Sequence, residues 1–177
     1  MSSHLFIDNS FLYIEGYKYA RKRCAPQSII PSINYKKLRD FFDEKDDKIV
    51  HRTLVGSELA GTLITSAQRN GFYPFTLPKY KDFNGRMRER GVDHKLIWEI
   101  AKSVYTRHDR ERIKIILCSG DRDFQPIFPD LRTADCDLDV YVWKGAYSSE
   151  YIEQVNSFGK IYELNEEWSK FIEIKSK

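Results

Sequence analysis

The sequence predicts a single-domain α/β protein, a three-layer α/β/α sandwich with a mainly parallel central sheet. Segments with the period of a strand alternate with segments with the period of a helix along most of the chain. The chain has 177 residues, 41% of them hydrophobic, which suits one domain with a sizeable core. We therefore expect residues 1–177 to form one domain.

In the first half of the chain, the apolar run 5–7 predicts a strand, and the apolar side chains of 11–19 predict a helix. Pro26 and Pro31 favour a loop over 21–32. Apolar residues spaced along one helical face predict helices over 35–42 and 59–67, and alternation or apolar runs predict strands at 49–55 and 72–77.

In the second half, a clear amphipathic pattern predicts a helix over 96–104, and the buried-type run 113–117 predicts a strand. The apolar residues of 124–131 predict a helix despite Pro126 and Pro129. The remaining predictions are strands at 138–143 and 160–162, a short helix over 150–155 and a short helical extension at the C-terminus.

Four aspartates stand at predicted element ends, in three distant segments. Asp8 follows the first strand, Asp121 and Asp123 follow strand 113–117 after Gly120, and Asp93 precedes helix 96–104. Carboxyl ends of parallel strands line the functional crevice of such sheets, and carboxylates are preferred ligands of hard cations. These acids therefore predict a site for Mg²⁺ or Mn²⁺.

Helix capping is the alternative explanation for each acid taken singly. Asp and Ser are favoured N-caps, so Asp8, Ser10, Asp93 and Asp123 would each satisfy backbone N–H groups at a helix start. Capping does not account for a paired Asp-x-Asp at a strand exit. We therefore favour the shared metal site.

Basic residues are concentrated in two stretches, although the net charge is only +3. Residues 17–39 hold seven basic side chains and no acid. A second stretch, 79–90, combines Arg86, Arg88 and Arg90 with the aromatic rings of Tyr80 and Phe83. Basic side chains can bind phosphates and aromatic rings can stack with bases, so this combination favours a single-stranded nucleic acid as the partner. The alternative is that each stretch is an ordinary solvated face.

The three cysteines, Cys24, Cys118 and Cys136, are odd in number and widely spaced, which argues against disulfides or a zinc site. The histidines, including His94 and His108, lack ligand spacing. No apolar run approaches a membrane span and no signal pattern begins the chain, so we expect a cytoplasmic protein without membrane contact. A homodimer through Trp143, Tyr147 or Tyr151 is left open.

The motifs resemble those of the NYN domain family of PIN-like metal-dependent ribonucleases, over about residues 4–165. The resemblance rests on Phe6-Ile7-Asp8-Asn9-Ser10, Arg90-Gly91-Val92-Asp93 and Ser119-Gly120-Asp121-Arg122-Asp123-Phe124. It implies a PIN-like fold, RNA as substrate, and Asp8, Asp93, Asp121 and Asp123 as the acidic catalytic metal site. A haloacid-dehalogenase-type phosphatase would need a second Asp where Ser10 stands.

Two positions depart from the family's pattern. Phe11 stands where the family commonly has Asn, and Glu99 stands where it commonly has a further Asp. Glu99 keeps the charge but lies about 120° from Asp93 on an ideal helix, so a supporting or a surface role is expected. Phe11 motivates the alternative function, a catalytically impaired RNA-binding or assembly module.

The expected reaction is phosphodiester hydrolysis of single-stranded RNA, with one or two ions activating water and stabilising the leaving oxygen. Asp8 and Asp121 are the first candidates for direct ligation, and Asp93 and Asp123 bind directly or through water. Substrate contacts are expected from Asn9, Ser10, Ser119, Arg86, Arg88 and Arg90. Arg122 either contacts phosphate or neutralises the acids beside it.

Overall fold

A six-stranded parallel sheet forms the centre of the protein. The computed structural model describes residues 1–23, 29–106 and 112–176. Its strands are β1 Ser2–Asp8, β2 Ile29–Ile33, β3 Ile49–Ser57, β4 Tyr73–Leu77, β5 Tyr80–Lys81, β6 Met87–Arg88, β7 Ile113–Cys118, β8 Asp137–Val142, β9 Gly159–Glu163 and β10 Ile172–Ser176. The central sheet has the order β4-β3-β1-β7-β8-β9, and every neighbouring pair runs parallel.

Helices cover both faces of this sheet. They are α1 Asn9–Arg23, α2 Tyr35–Lys45, α3 Gly61–Arg69, α4 Val92–Tyr105, α5 Phe128–Thr133 and α6 Ser149–Asn156, with 3₁₀ helices at Arg122–Ile127 and Trp168–Lys170. In β1, Leu5 and Ile7 pack with α1, α2 and α3, whereas Phe6 packs with α4, α5 and α6. This alternation follows from the two-residue period of a strand. The predicted three-layer α/β/α fold is confirmed.

The strand order reverses direction at β1 and β7. From β1 the chain moves outward through β3 to β4 on one side, and α4 then returns it to β7 on the other side of β1. A crevice opens at such a reversal, beyond the carboxyl ends of the two strands, because the helices that follow them lie on opposite faces. Asp8 and Ser119 stand where these strands end.

Several predicted element assignments were wrong. The loop predicted over 21–32 contains the end of α1 and the strand β2, which pairs antiparallel with β10. Pro31 is compatible with this strand because β2 is an edge strand with a partner on one side only. A proline, which has no N–H to donate, is tolerated in such a strand. The helix predicted over 124–131 is a 3₁₀ helix followed by α5, since Pro126 interrupts the regular ladder.

The C-terminal extension is also different from its prediction. Beyond β9 the chain forms a 3₁₀ turn and then β10, rather than a helical extension. Trp143 and Tyr151 are buried in the core, so neither is available as an interface ring, and Tyr147 is half-buried. Cys118 is a buried strand residue, as predicted. Cys24 and His108 lie outside the described residues.

Within the described ranges, no helix is both long enough and apolar enough to span a bilayer.

Candidate metal centre

Asp8 ends β1 and begins α1. It follows the buried strand residues Leu5, Phe6 and Ile7, and it is itself only 6% exposed. Oδ1 accepts a hydrogen bond of 3.0 Å from the backbone N–H of Phe11, which is the bond of a helix N-cap. Capping and site formation are thus not alternatives here, because the capping bond fixes the carboxylate at the crevice.

The turn after β7 places Asp121 and Asp123. Oδ1 of Asp121 accepts a hydrogen bond of 2.9 Å from the backbone N–H of Asp123, and the N–H of Asp121 donates to Ser119 Oγ at 3.3 Å. The buried Ser119 carbonyl in turn accepts a hydrogen bond of 2.8 Å from the hydroxyl of Tyr151 on α6. These bonds tie the turn to the α4–α6 layer.

Gly120 allows this turn to approach its neighbours closely. A Cβ atom at this position would lie 2.5 Å from the carbonyl oxygen of Ala146 and 3.1 Å from the ring of Phe11. The loop after β8 and the Phe11 ring therefore hold the turn on two sides. Any side chain at position 120 would shift the carboxylate of Asp121.

Asp93 comes from the start of α4. The preceding Gly91 adopts a left-handed conformation with φ of 85°, which turns the chain into the helix. Asp93 then occupies the first helical turn and is half-buried. A carboxylate is favoured there by the partial positive charge of the helix N-terminus.

Three of the four predicted acids form a tight group. Carboxylate oxygens of Asp93, Asp121 and Asp123 all lie within 4.8 Å of one another. Asp8 is outside this group but lines the same open cleft, of about 450 Å³, together with Asp93 and Asp121. The structure thus brings all four predicted carboxylates to one place.

The carboxylates of the cleft oppose one another's ionisation. Burial, with added repulsion from Asp93 and Glu89, raises the pKa of Asp8 to about 7 despite its hydrogen bond from Phe11. Burial and the charges of Asp121 and Asp123 likewise raise the pKa of Asp93. In the described ranges, none of the four acids has a lysine or arginine partner within 4.0 Å. A cluster of oxygen donors lacking a cationic partner fits a hard divalent ion.

Some of the predicted substrate-binding residues lie at the cleft, and others are buried or lie on the surface beside it. Ser10 and Arg90 line the cleft, and His94 lines it as well. Arg122 is exposed beside Asp121. Asn9 is buried, and its Oδ1 accepts a hydrogen bond of 2.7 Å from the hydroxyl of Tyr35.

The basic stretch 79–90 forms a hairpin built around Asp82. Oδ1 of Asp82 accepts hydrogen bonds from the backbone N–H groups of Asn84 and Arg86, and its Oδ2 accepts one of 3.1 Å from Nε of Arg88. Phe83 at the tip is fully exposed. The guanidinium of Arg90 lies 5.9 Å from the ring centroid of Tyr80. Cationic and aromatic groups therefore project from a structured hairpin whose base borders the cleft.

Glu99 lies away from the acidic group. Its buried carboxylate accepts hydrogen bonds from Lys95 at 2.6 Å and from Lys102 at 3.2 Å. Burial opposes ionisation, but these two cations hold the pKa of Glu99 below its ordinary value. The side chain thus stabilises α4 through an ion-pair network.

Glu89 is a cleft residue that sequence reasoning missed. It accepts a hydrogen bond of 2.8 Å from Ser10 Oγ and raises the pKa of Asp8 by repulsion. The available signal was its position as a lone acid among Arg86, Arg88 and Arg90. That surrounding charge made the whole stretch read as basic.

Two structures of a PLP-bound C-S lyase from Staphylococcus hominis, one of them an external aldimine complexed with L-cycloserine, align with 98% of this chain. Their identities are 10% and 12%, their TM-scores are 0.33 and 0.30, and the chain spans about half of their length. Scores this low do not indicate a shared fold.

No curated protein matches the sequence. The NYN domain family does match, over residues 4–162, which includes all or most of every strand of the central sheet and all four acids of the candidate site. The match therefore covers most of the chain and the whole of the acidic cleft. The chain belongs to the NYN domain family.

Proposed function

We propose that this protein is a ribonuclease that hydrolyses phosphodiester bonds of single-stranded RNA at the acidic cleft, with Mg²⁺ or Mn²⁺ as its cofactor. The NYN domain implies a PIN-like nuclease, a class that generally uses divalent metals. The observation that carries the proposal is the convergence of Asp93, Asp121 and Asp123 within 4.8 Å, beside the buried Asp8. This donor set suits a hard cation and leaves the cleft open to a polymer.

In this proposal Asp93, Asp121 and Asp123 hold the cation, and Asp8 binds it directly or through water. When bound, a divalent ion supplies charge for the phosphate oxygens and lowers the pKa of water. The residues themselves supply orientation. The capping bonds from Phe11 to Asp8 and from Asp123 to Asp121 fix two of the carboxylates before any ligand arrives.

Phosphates outside the reacting group are assigned to the hairpin and its base. Arg90 lines the cleft, and Arg86 and Arg88 follow on the exposed hairpin. Arg122 is exposed next to Asp121 and is assigned to the scissile phosphate or its neighbour. Such contacts would neutralise backbone charge without reading bases. The same proposal includes that residues 1–177 act as one domain and that the protein works in the cytoplasm.

The test is cleavage of a labelled single-stranded RNA with Mn²⁺, Mg²⁺ or EDTA, comparing the protein with Asp121→Asn. Asp130→Asn, an exposed acid on α5, is the matched control. We expect metal-dependent cleavage that falls at least about 100-fold in Asp121→Asn, because a ligand is lost, and is unchanged in the control. Full activity of Asp121→Asn would refute the site assignment.

A catalytically impaired RNA-binding module is the second candidate, and Phe11 is the observation that favours it. The Phe11 ring packs against both layers of the core and against Gly120, where the family commonly has a polar amide. In that case RNA is retained without metal-dependent turnover. Charge reversal of Arg86 or Arg88 would then reduce retention, whereas Asp121→Asn would not.

A further inference from the structure

A second cavity adjoins the acidic cleft. This groove, of about 780 Å³, lies between the first turns of α1, strand β2 and the turn from β3 into α3. Ser10, Ile14 and Glu89 line both cavities. The two cavities therefore adjoin at these residues, with the Ser10–Glu89 hydrogen bond at their boundary.

The groove differs from the cleft in its chemistry. Three of its large apolar side chains are strongly exposed, namely Tyr13 at 43%, Ile14 at 45% and Ile30 at 46%. The rest of its lining mixes apolar side chains with polar ones such as Ser32, Asn34 and Thr62, and a cavity of this size with such a lining is suited to a ligand that has both an apolar face and hydrogen-bonding edges. An exposed tyrosine ring offers a stacking surface to any nucleobase.

The charges of the groove disfavour phosphate. Among its described lining residues, the charged side chains are Glu58, Glu89, Glu173 and Lys79. Glu173 forms an ion pair with Lys37 at 3.0 Å, so a phosphate in this groove would meet the carboxylates of Glu58 and Glu89 against the single ammonium group of Lys79. A neutral base meets no such penalty, because its partners there are rings, apolar side chains and hydrogen-bond acceptors.

Aromatic surface continues from the groove along α1. The rings of Tyr13 and Tyr17, one helical turn apart, have centroids 6.1 Å from each other. The guanidinium of Arg21 lies 5.5 Å from the Tyr17 centroid, one turn further. The two rings could stack with successive bases of a single-stranded RNA, and the cation that follows could contact its phosphate.

We infer that the groove beside the cleft is a nucleobase subsite for the RNA strand, with Tyr13 as its stacking residue and Tyr17 and Arg21 as its continuation. This inference rests on the proposed function. It places an unpaired base in the groove next to the phosphate held at the acidic cleft. The protein then requires a single strand, since a paired base cannot reach Tyr13.

The experiment compares Tyr13→Ala, Tyr13→Phe and Thr62→Trp with the unaltered protein. Thr62 is an exposed lining residue of α3, so a tryptophan there narrows the groove. Tyr105→Ala, an exposed tyrosine at the far end of α4, is the control. Cleavage of a fluorescent oligoadenylate with Mn²⁺ gives KM and kcat, and anisotropy in EDTA gives Kd.

We expect KM and Kd to rise about 5- to 100-fold in Tyr13→Ala and Thr62→Trp, the range of one lost stacked base, with kcat nearly unchanged. Tyr13→Phe and the control should match the unaltered protein. An abasic strand of the same length should bind the unaltered protein and Tyr13→Ala equally.

The possible outcomes bear differently on the subsite and on the proposed nuclease. RNA cleavage with an unchanged KM and Kd in both groove variants overturns the subsite and leaves the nuclease intact. RNA binding that depends on Tyr13 without any cleavage supports the subsite and overturns the nuclease. An RNA that is neither bound nor cut overturns both.

Discussion

The hydroxyl of Ser10 donates a hydrogen bond of 2.8 Å to Oε1 of Glu89, and this bond joins the first turn of α1 to the segment that precedes α4. These two helices lie on opposite faces of the sheet. The bond therefore crosses the mouth of the crevice between them. It also holds the Glu89 carboxylate close enough to Asp8 to repel its charge, which gives Glu89 an electrostatic influence on the site.

Glu89→Gln is expected to lower the pKa of Asp8, because one of the charges that oppose its ionisation is removed. The Asp8 carboxyl carbon resonance, followed by NMR between pH 4 and pH 9 in EDTA, measures this pKa. Glu58→Gln removes an exposed acid from the adjoining groove and should leave the Asp8 titration unchanged. An Asp8 pKa that rises in Glu89→Gln would contradict the repulsion described here.

The metal-free protein should lose stability as the pH rises from about 4 to about 7. Asp8 keeps its proton in the folded state up to about pH 7 but loses it near 3.8 when unfolded, so the unfolded state binds fewer protons over this window. The loss is complete above the folded pKa and amounts to at most about 4 kcal/mol. Urea denaturation in EDTA measures it.

Asp8→Asn is the comparison for that pH dependence. It removes the titrating group while keeping an oxygen that can accept the bond from Phe11. Its free energy of unfolding should therefore vary less between pH 4 and pH 7 than that of the unaltered protein. Identical pH profiles for the two proteins would show that Asp8 is not the group that titrates.

Gly120→Ala is expected to destabilise the protein by about 1–3 kcal/mol and to weaken metal binding. The added Cβ would collide with the Ala146 carbonyl and press on the Phe11 ring, which forces the Asp121 turn to shift. Thermal melting with and without Mn²⁺ measures both effects.

Gly61→Ala is the matched control for that substitution. Gly61 opens α3 with no atom within 4 Å of its added Cβ, so alanine there should be neutral or stabilise by up to about 1 kcal/mol. The increase in melting temperature caused by Mn²⁺ should be unchanged. Equal effects of the two substitutions would mean that the packing around Gly120 does not position the acids.

Glu99→Gln separates stability from metal binding. Lys95 and Lys102 would lose their charged acceptor, and the free energy of unfolding should fall by about 1–2 kcal/mol. The stabilisation by Mn²⁺ should stay as it is in the unaltered protein, because Glu99 does not contact the acidic group. If Mn²⁺ no longer stabilised this variant, Glu99 would have to be counted among the residues that bind the metal.

The central sheet and its helices were predictable because their signals are local. Apolar runs such as 113–117, and the period of 96–104, follow directly from burial on one or two faces. The pairing of β2 with β10 has no such signal, since residues 29–33 contain Pro31 and their partner strand is far along the sequence. Only tertiary structure brings these two segments together.

The part of the site that lies at the ends of strands was predictable from the sequence. Asp8, Asp121 and Asp123 stand at the ends of predicted strands, and a crevice beyond the carboxyl ends of strands is a property of the fold class. The role of Glu89 depends on a contact with Ser10 across the crevice. Glu99 was expected to have a supporting or a surface role, and its ion pairs with Lys95 and Lys102 are i, i+4 and i, i+3 contacts within α4.

The anchoring of Ser119 by the Tyr151 hydroxyl has a consequence for the thermodynamics of ligand binding. With Gly120 wedged between Ala146 and Phe11, the backbone that carries Asp121 has little conformational freedom left to lose. The entropy of arranging these donors is lost when the chain folds, not when an ion arrives. Binding would then show a small entropic penalty, and amide exchange in this turn would slow little on adding Mn²⁺.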